Sequence, residues 1–91
     1  MLNTISITVR GVVQGVYYRQ STKEKAKNLS ISGEVRNRPD GSVDIIATGT
    51  KEQLGKLVQW CRQGPPKAIV SNVEVKELSL HVFQGFHIVR G

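Results

Sequence analysis

The sequence predicts an α+β fold of the ferredoxin-like, split βαβ type (βαββαβ): two helices on one face of an antiparallel sheet, with a short terminal fifth strand. Three observations carry this. Segments of period two and segments of three-to-four spacing succeed one another in the order β-α-β-β-α-β. A strong hairpin signal, Pro39-Asp40-Gly41, falls between the second and third strands. A length of 91 residues suits a single domain, residues 1–91, that spends its apolar side chains on one core.

Each element has its own signal. Ile5, Ile7 and Val9 alternate with Ser6, Thr8 and Arg10, so a half-buried strand runs to Gly11 and stops there. Residues 11–18 have neither period and read as a loop with special backbone needs. Ser21 and Glu24 fit a capping box, and Ala26 and Leu29 with Tyr18 or Thr22 form an apolar stripe, predicting a helix over about 20–29. Residues 31–38 and 42–48 form the hairpin strands. Thr50 and Gln53 offer a second capping box, Leu54, Leu57, Val58 and Cys61 recur at helical spacing, and Gly64-Pro65-Pro66 stops the chain, giving a helix over 51–63. Residues 69–80 and 86–89 supply the fourth and fifth strands.

Composition narrows the function. No run approaches the ~18 apolar residues of a membrane helix, and residues 1–10 alternate where a signal peptide would be continuously apolar; a soluble, cytoplasmic, monomeric protein is the expectation. One cysteine forms no internal disulfide, and with two histidines it builds no zinc cage. The net charge is +6, and residues 10–38 hold seven basic residues against two acidic ones, placing nearly all of the excess in the first third of the chain. An anionic partner is expected there, although Lys23, Lys25 and Lys27 also suit a solvated helix face.

Backbone N–H groups of a glycine-bearing loop that leads into a helix converge on an anion, because the first turn leaves them unpaired and the helix dipole adds positive potential. Gly11 to Arg19 has that context: Gly15 permits close backbone approach, and the Arg19 guanidinium can grip two oxygens. No Gly-Lys-Ser/Thr follows, so this is not a Walker loop. Residue types alone equally allow a tight strand-to-helix turn with Arg19 in a surface ion pair. In the split βαβ order the first and second strands are parallel with the third between them. Asn37 then lies at the same sheet edge as the loop, where it can face a bound anion or cap the hairpin turn.

Gly11-Val12-Val13-Gln14-Gly15-Val16-Tyr17-Tyr18-Arg19 resembles the first signature of the acylphosphatase family. Gly33-Glu34-Val35-Arg36-Asn37, with Gly41-Ser42-Val43 and Gly49, resembles the second. The similarity extends over nearly the whole chain, including Trp60 and Gly64-Pro65, and implies an acylphosphatase-like domain hydrolysing acyl phosphates to a carboxylate and inorganic phosphate, with no metal or cofactor. It implies Arg19 as the phosphate-binding arginine, Asn37 as the residue that orients the attacking water, and the backbone of Gln14, Gly15, Val16, Tyr17 and Tyr18 as the phosphate cradle. The implied partners are a small acyl phosphate and inorganic phosphate or another oxyanion, as product or inhibitor. Two departures bear on packing and affinity: Glu34 stands where the family more often has an aromatic residue, and Val12 where a basic one is commoner.

Other readings are weaker on the residues. An RNA-binding module of the same element order stacks bases on aromatics in its central strands; residues 5–9 and 43–47 contain none, which disfavours nucleic acid. A cysteine phosphatase would need an arginine six residues after Cys61, where Lys67 stands, and Cys61 reads as core. His81 and His87 have no partnering carboxylate pattern and read as surface or strand-face residues. A small protein-interaction module that kept the fold without the activity is disfavoured by the presence of both Arg19 and Asn37. Tyr18 could line the site or anchor the first helix.

Overall fold

The computed structural model describes residues 1–90; Gly91, the last residue of the expected domain, lies outside the described residues. The elements are β1 (Asn3–Val12), α1 (Tyr18–Asn28), β2 (Ser32–Asn37), β3 (Val43–Gly49), α2 (Lys51–Cys61), β4 (Ile69–Leu78) and β5 (Phe86–Val89). They form one sheet in the order β4-β1-β3-β2-β5. β1 and β2 each pair antiparallel to β3, so they are parallel with β3 between them, as expected. The sheet as a whole is mixed, because β5 pairs parallel to β2. Antiparallel alternation predicted the first four strands; a four-residue strand carries no sign of its direction.

Both helices cover one face. Tyr18, Thr22 and Ala26 of α1, at four-residue spacing, and Leu54, Leu57 and Cys61 of α2 are buried. All but the polar Thr22 belong to the hydrophobic cluster that includes Ile7, Val9, Val35, Val43 and Ile45. Full burial of a large aliphatic side chain is worth about 1.5–3 kcal/mol, so the ten or so buried here account for the two-layer arrangement.

Three local expectations need correction. β1 continues through Gly11 to Val12, with its register against β4 shifting between Arg10 and Gly11. Gly11 makes this possible: at φ 128° a Cβ there would sit 2.1 Å from the Ile69 carbonyl oxygen, so only a glycine lets the two strands close over the irregularity. α1 begins two residues earlier than predicted, and the Ser21–Glu24 box does not form because Ser21 already lies within the helix. The Thr50–Gln53 box does form, with both reciprocal bonds present. β4 and α2 end two residues earlier than predicted. No helix among the described residues is long and apolar enough to cross a membrane.

Candidate active site

The loop between β1 and α1 takes its shape from two left-handed residues. Gly15 has φ 75° with open space where a Cβ would stand, and Tyr17, the residue preceding α1, has φ 62°. Left-handed residues in such a turn curl successive N–H groups inward to a common focus. The first helical bond is Ser21 N–H to Tyr17 O at 3.0 Å, so the amides of Tyr18, Arg19 and Gln20 are first-turn donors with no intrahelical acceptor. No side chain caps them and the first turn contains no acid. In α2, by contrast, Thr50 and Gln53 cap the N-terminus and Glu52 stands in the first turn.

The hairpin forms the other wall. Asp40 accepts from Ser42 N–H at 2.9 Å and from the Ser42 hydroxyl at 2.6 Å. These bonds, first the hydroxyl and then the amide, with Arg38 and Arg10 nearby, hold its carboxyl below the usual range. Asp40 therefore performs the turn-capping for which Asn37 was also a candidate. Gln14 ties the loop to the same turn, its Nε2 donating to the carbonyls of Arg38 at 2.8 Å and Ser42 at 2.9 Å. One side chain thus sets the distance between the loop and the end of β2.

Asn37 is the last residue of β2 and faces Val43 across the β2–β3 pair. Val43 is fully buried, and partners in an antiparallel pair share a face, so Asn37 projects onto the helix-covered side. Its Oδ1 is buried without a hydrogen-bond partner. An unpaired buried acceptor costs about 1–3 kcal/mol, so this one calls for an explanation.

These residues meet in one cleft of about 440 Å³ lined by Gly15, Tyr17, Tyr18, Arg19, Asn37, Ile88 of β5 and Arg90 just after it, together with Val13 and Gln20. Arg19 is half-buried and lies within 4 Å of no carboxylate among the described residues, unlike Arg10 and Arg36; it is not the surface ion pair that residue type alone allowed. Tyr17 is largely exposed and Tyr18 buried. Tyr18 both lines the cleft and anchors α1: its hydroxyl donates to the Cys61 carbonyl at 2.7 Å, its ring packs on Trp60 with centroids 5.5 Å apart, and burial raises its phenol pKa.

Not every expected residue lines the cleft. Gln14 turns to the hairpin, and Val16 packs against the core. Ile88 and Arg90 were missed, since their place depends on β5 lying parallel beside β2. Cys61 is fully buried and its thiol is pushed up to about 12, mainly by burial, so it is core. His81 and His87 are exposed. Glu34 pairs with Arg36 on the sheet face opposite the cleft, in register with Ile46, and Val12 is half-exposed beside Ile69 at the end of β1. Neither departure touches the cleft.

The arrangement suits a tetrahedral oxyanion: convergent amides at an uncapped helix N-terminus, one guanidinium without a counter-ion, and a carboxamide to the side. The acylphosphatase family model matches residues 5–88. A curated acylphosphatase of Acaryochloris marina is 49% identical over 86 residues, covering 94% of this chain and 92% of that protein. An acylphosphatase structure from Bacillus subtilis superimposes with TM-score 0.94 at 36% identity, covering 99% of this chain and 100% of that one. One from Coxiella burnetii gives TM-score 0.94 at 36% identity, covering 97% of this chain and 93% of that one. On sequence and fold together, the chain belongs to the acylphosphatase family, whose members hydrolyse acyl phosphates.

Proposed function

We propose that this enzyme, a hydrolase of acyl phosphates, binds the phosphoryl group between the loop amides of residues 15–19 and the Arg19 guanidinium, and that Asn37 orients the attacking water. The single domain of residues 1–91 supplies every group needed. What carries the reading is the contrast between the two helix N-termini: α2 satisfies its donors internally, whereas α1 leaves its own uncapped at the mouth of a cleft that also holds Arg19 and Asn37.

The chemistry asks for little more. Water oxygen attacks phosphorus as the bond from phosphorus to the acyl oxygen breaks, and the products are a carboxylate and inorganic phosphate. The carboxylate's conjugate acid has a pKa near ~4, so it departs without a proton and no general acid is required. Phosphoryl transfer passes through a loose transition state with charge spread over the equatorial oxygens. Fixed donors already aimed at those oxygens stabilise that charge without reorganising. A loose transition state needs a positioned nucleophile more than a strongly activated one. A neutral carboxamide then suffices to hold the water, whose proton passes to a phosphate oxygen. Asn37 Oδ1 takes no hydrogen bond from the protein, which leaves the carboxamide free to serve that water.

On this reading the reaction needs no metal. The test is benzoyl phosphate turnover with and without a chelator, beside inorganic phosphate binding to Arg19→Ala. Turnover is expected to be indifferent to the chelator, and Arg19→Ala to lose both phosphate binding and turnover. Turnover that requires an added metal, or phosphate bound by Arg19→Ala as tightly as by the wild type, overturns the assignment.

A further inference from the structure

Arg19, Lys23 and Lys27 stand four residues apart on α1, forming a single row of like charge along the helix. Two hollows flank this row where α1 meets β5. One places Arg19 with Ile88 and Arg90; the other places Lys23 and Lys27 with Phe86 and His87. β5 explains how Arg90 reaches the first. Its side chains alternate, Phe86 is buried in the core and Ile88 packs against it, and Ile88 is in register with the buried Val35. Arg90, one further step along that face, clears the core and arrives at the cleft wall beside Asn37. Among the described residues, nine of the thirteen basic side chains have no carboxylate within 4 Å, and four of the nine, Arg19, Lys23, Lys27 and Arg90, line these two hollows. The one acid of α1, Glu24, lies on another side of the helix with Trp60 and Pro65. The two hollows together collect four cations and no carboxylate, more than one phosphoryl group held by Arg19 and backbone amides accounts for.

We propose that the acyl phosphates this enzyme prefers carry a second anionic group on the acyl part, a carboxylate or a phosphate, held by Arg90 with Lys23 and Lys27 behind it. The proposal rests on the phosphoryl group sitting at Arg19. Along α1, Lys23 follows Arg19 by about 6 Å, so a second charge on the order of five bonds from phosphorus falls between them.

The probes are propylphosphonate, 3-phosphonopropionate and propane-1,3-diphosphonate, titrated by calorimetry and as competitors of benzoyl phosphate at low salt. The wild type is expected to bind one or both doubly anionic probes about tenfold more tightly than propylphosphonate, the scale of one charge-assisted contact. Added salt should shrink that ratio. The ratio should fall to within about twofold in Arg90→Gln and return in Arg90→Lys; Lys23→Gln should lower it in part. The ratio of kcat/KM for succinyl phosphate over butyryl phosphate should follow the same pattern. An advantage confined to the diphosphonate identifies the second group as a phosphate, and one confined to the carboxylate identifies it as a carboxylate. Equal binding of all three probes by the wild type, or an advantage that survives Arg90→Gln, overturns the subsite. Failure of propylphosphonate to compete with benzoyl phosphate in the wild type overturns the phosphoryl site, and the subsite with it.

Discussion

Asn37→Ala should make the protein more stable and far less active. The stability gain follows from Oδ1, which is buried without a partner. Such an acceptor costs the fold about 1–3 kcal/mol. Truncation to alanine removes the orphan while forfeiting contacts of a polar group on a half-buried residue, leaving a net gain of about 1 kcal/mol. For a domain of this size that raises Tm by roughly 4–8 °C. Activity moves the other way. Losing a preorganised group that acts on the transition state lowers kcat by about 10²–10³, or ~2.7–4 kcal/mol, while phosphate affinity stays near the wild-type value because Arg19 and the amides are intact. The assays are calorimetric melting, benzoyl phosphate turnover and phosphate titration on one preparation. A Tm lowered by several degrees would show that the carboxamide is engaged in the resting protein. A kcat within threefold of wild type would remove Asn37 from the reaction.

Three further predictions concern the supports of the site. Tyr18→Phe leaves the Cys61 carbonyl at the end of α2 without its donor; a cost of about 1–2 kcal/mol should lower Tm by roughly 5–15 °C, and an unchanged melt would refute the anchoring role. Gln14→Ala releases the loop from the hairpin carbonyls; re-ordering one loop residue on binding costs about 1–2 kcal/mol, so phosphate affinity should fall about tenfold, and a change under twofold would show that the loop holds its shape unaided. The third is a pH dependence. The folded Cys61 thiol is pushed from near 9 up to about 12, so the unfolded chain releases its proton first. Its stabilising contribution is complete below about pH 9 and is lost as pH rises toward 12, by at most ~1.4 kcal/mol per pH unit. Urea midpoints should fall between pH 9 and 10.5, and Cys61→Ala should flatten that fall; a slope unchanged by the substitution refutes it.

The elements most legible in the sequence are those whose signal is local. The Thr50–Gln53 box, the Pro39–Gly41 turn and the apolar rows of both helices needed only neighbouring residues to be read, and they stand where the periodicity put them. The Ser21–Glu24 box was equally local and misleading: the real start of α1 is set by the left-handed Tyr17, a conformation that disfavours a bulky side chain and that no pattern announces. What was out of reach is non-local. Gln14 finds its acceptors 24 and 28 residues away, and Arg90 reaches the cleft because β5 lies parallel to β2. The meeting of Arg19 and Asn37 in one cleft was legible for a different reason: strand order alone brings the ends of β2 and of the first loop to one edge.

The two helix N-termini show how so small a chain divides stability from function. Each leaves several N–H groups without an intrahelical acceptor, the groups that a capping box commonly closes. At α2 that motif is present; the helix is finished, and its buried face, Leu54, Leu57 and Cys61, serves the core alone. At α1 the motif is absent and the first turn lacks acid; residue 17 is left-handed, whereas a capping residue such as Thr50 is extended, so the turn that shapes the loop also leaves these donors uncapped. The fold tolerates this because Tyr18 fixes the start of α1 from below, donating to the end of α2 and packing on Trp60. The donors are thus held rigid by tertiary contact and left free for a ligand, which a side-chain cap would prevent. A stable helix start with open donors is the condition for electrostatic catalysis without reorganisation. In the proposed phosphoryl site, that condition rests on one buried tyrosine adjacent to one arginine.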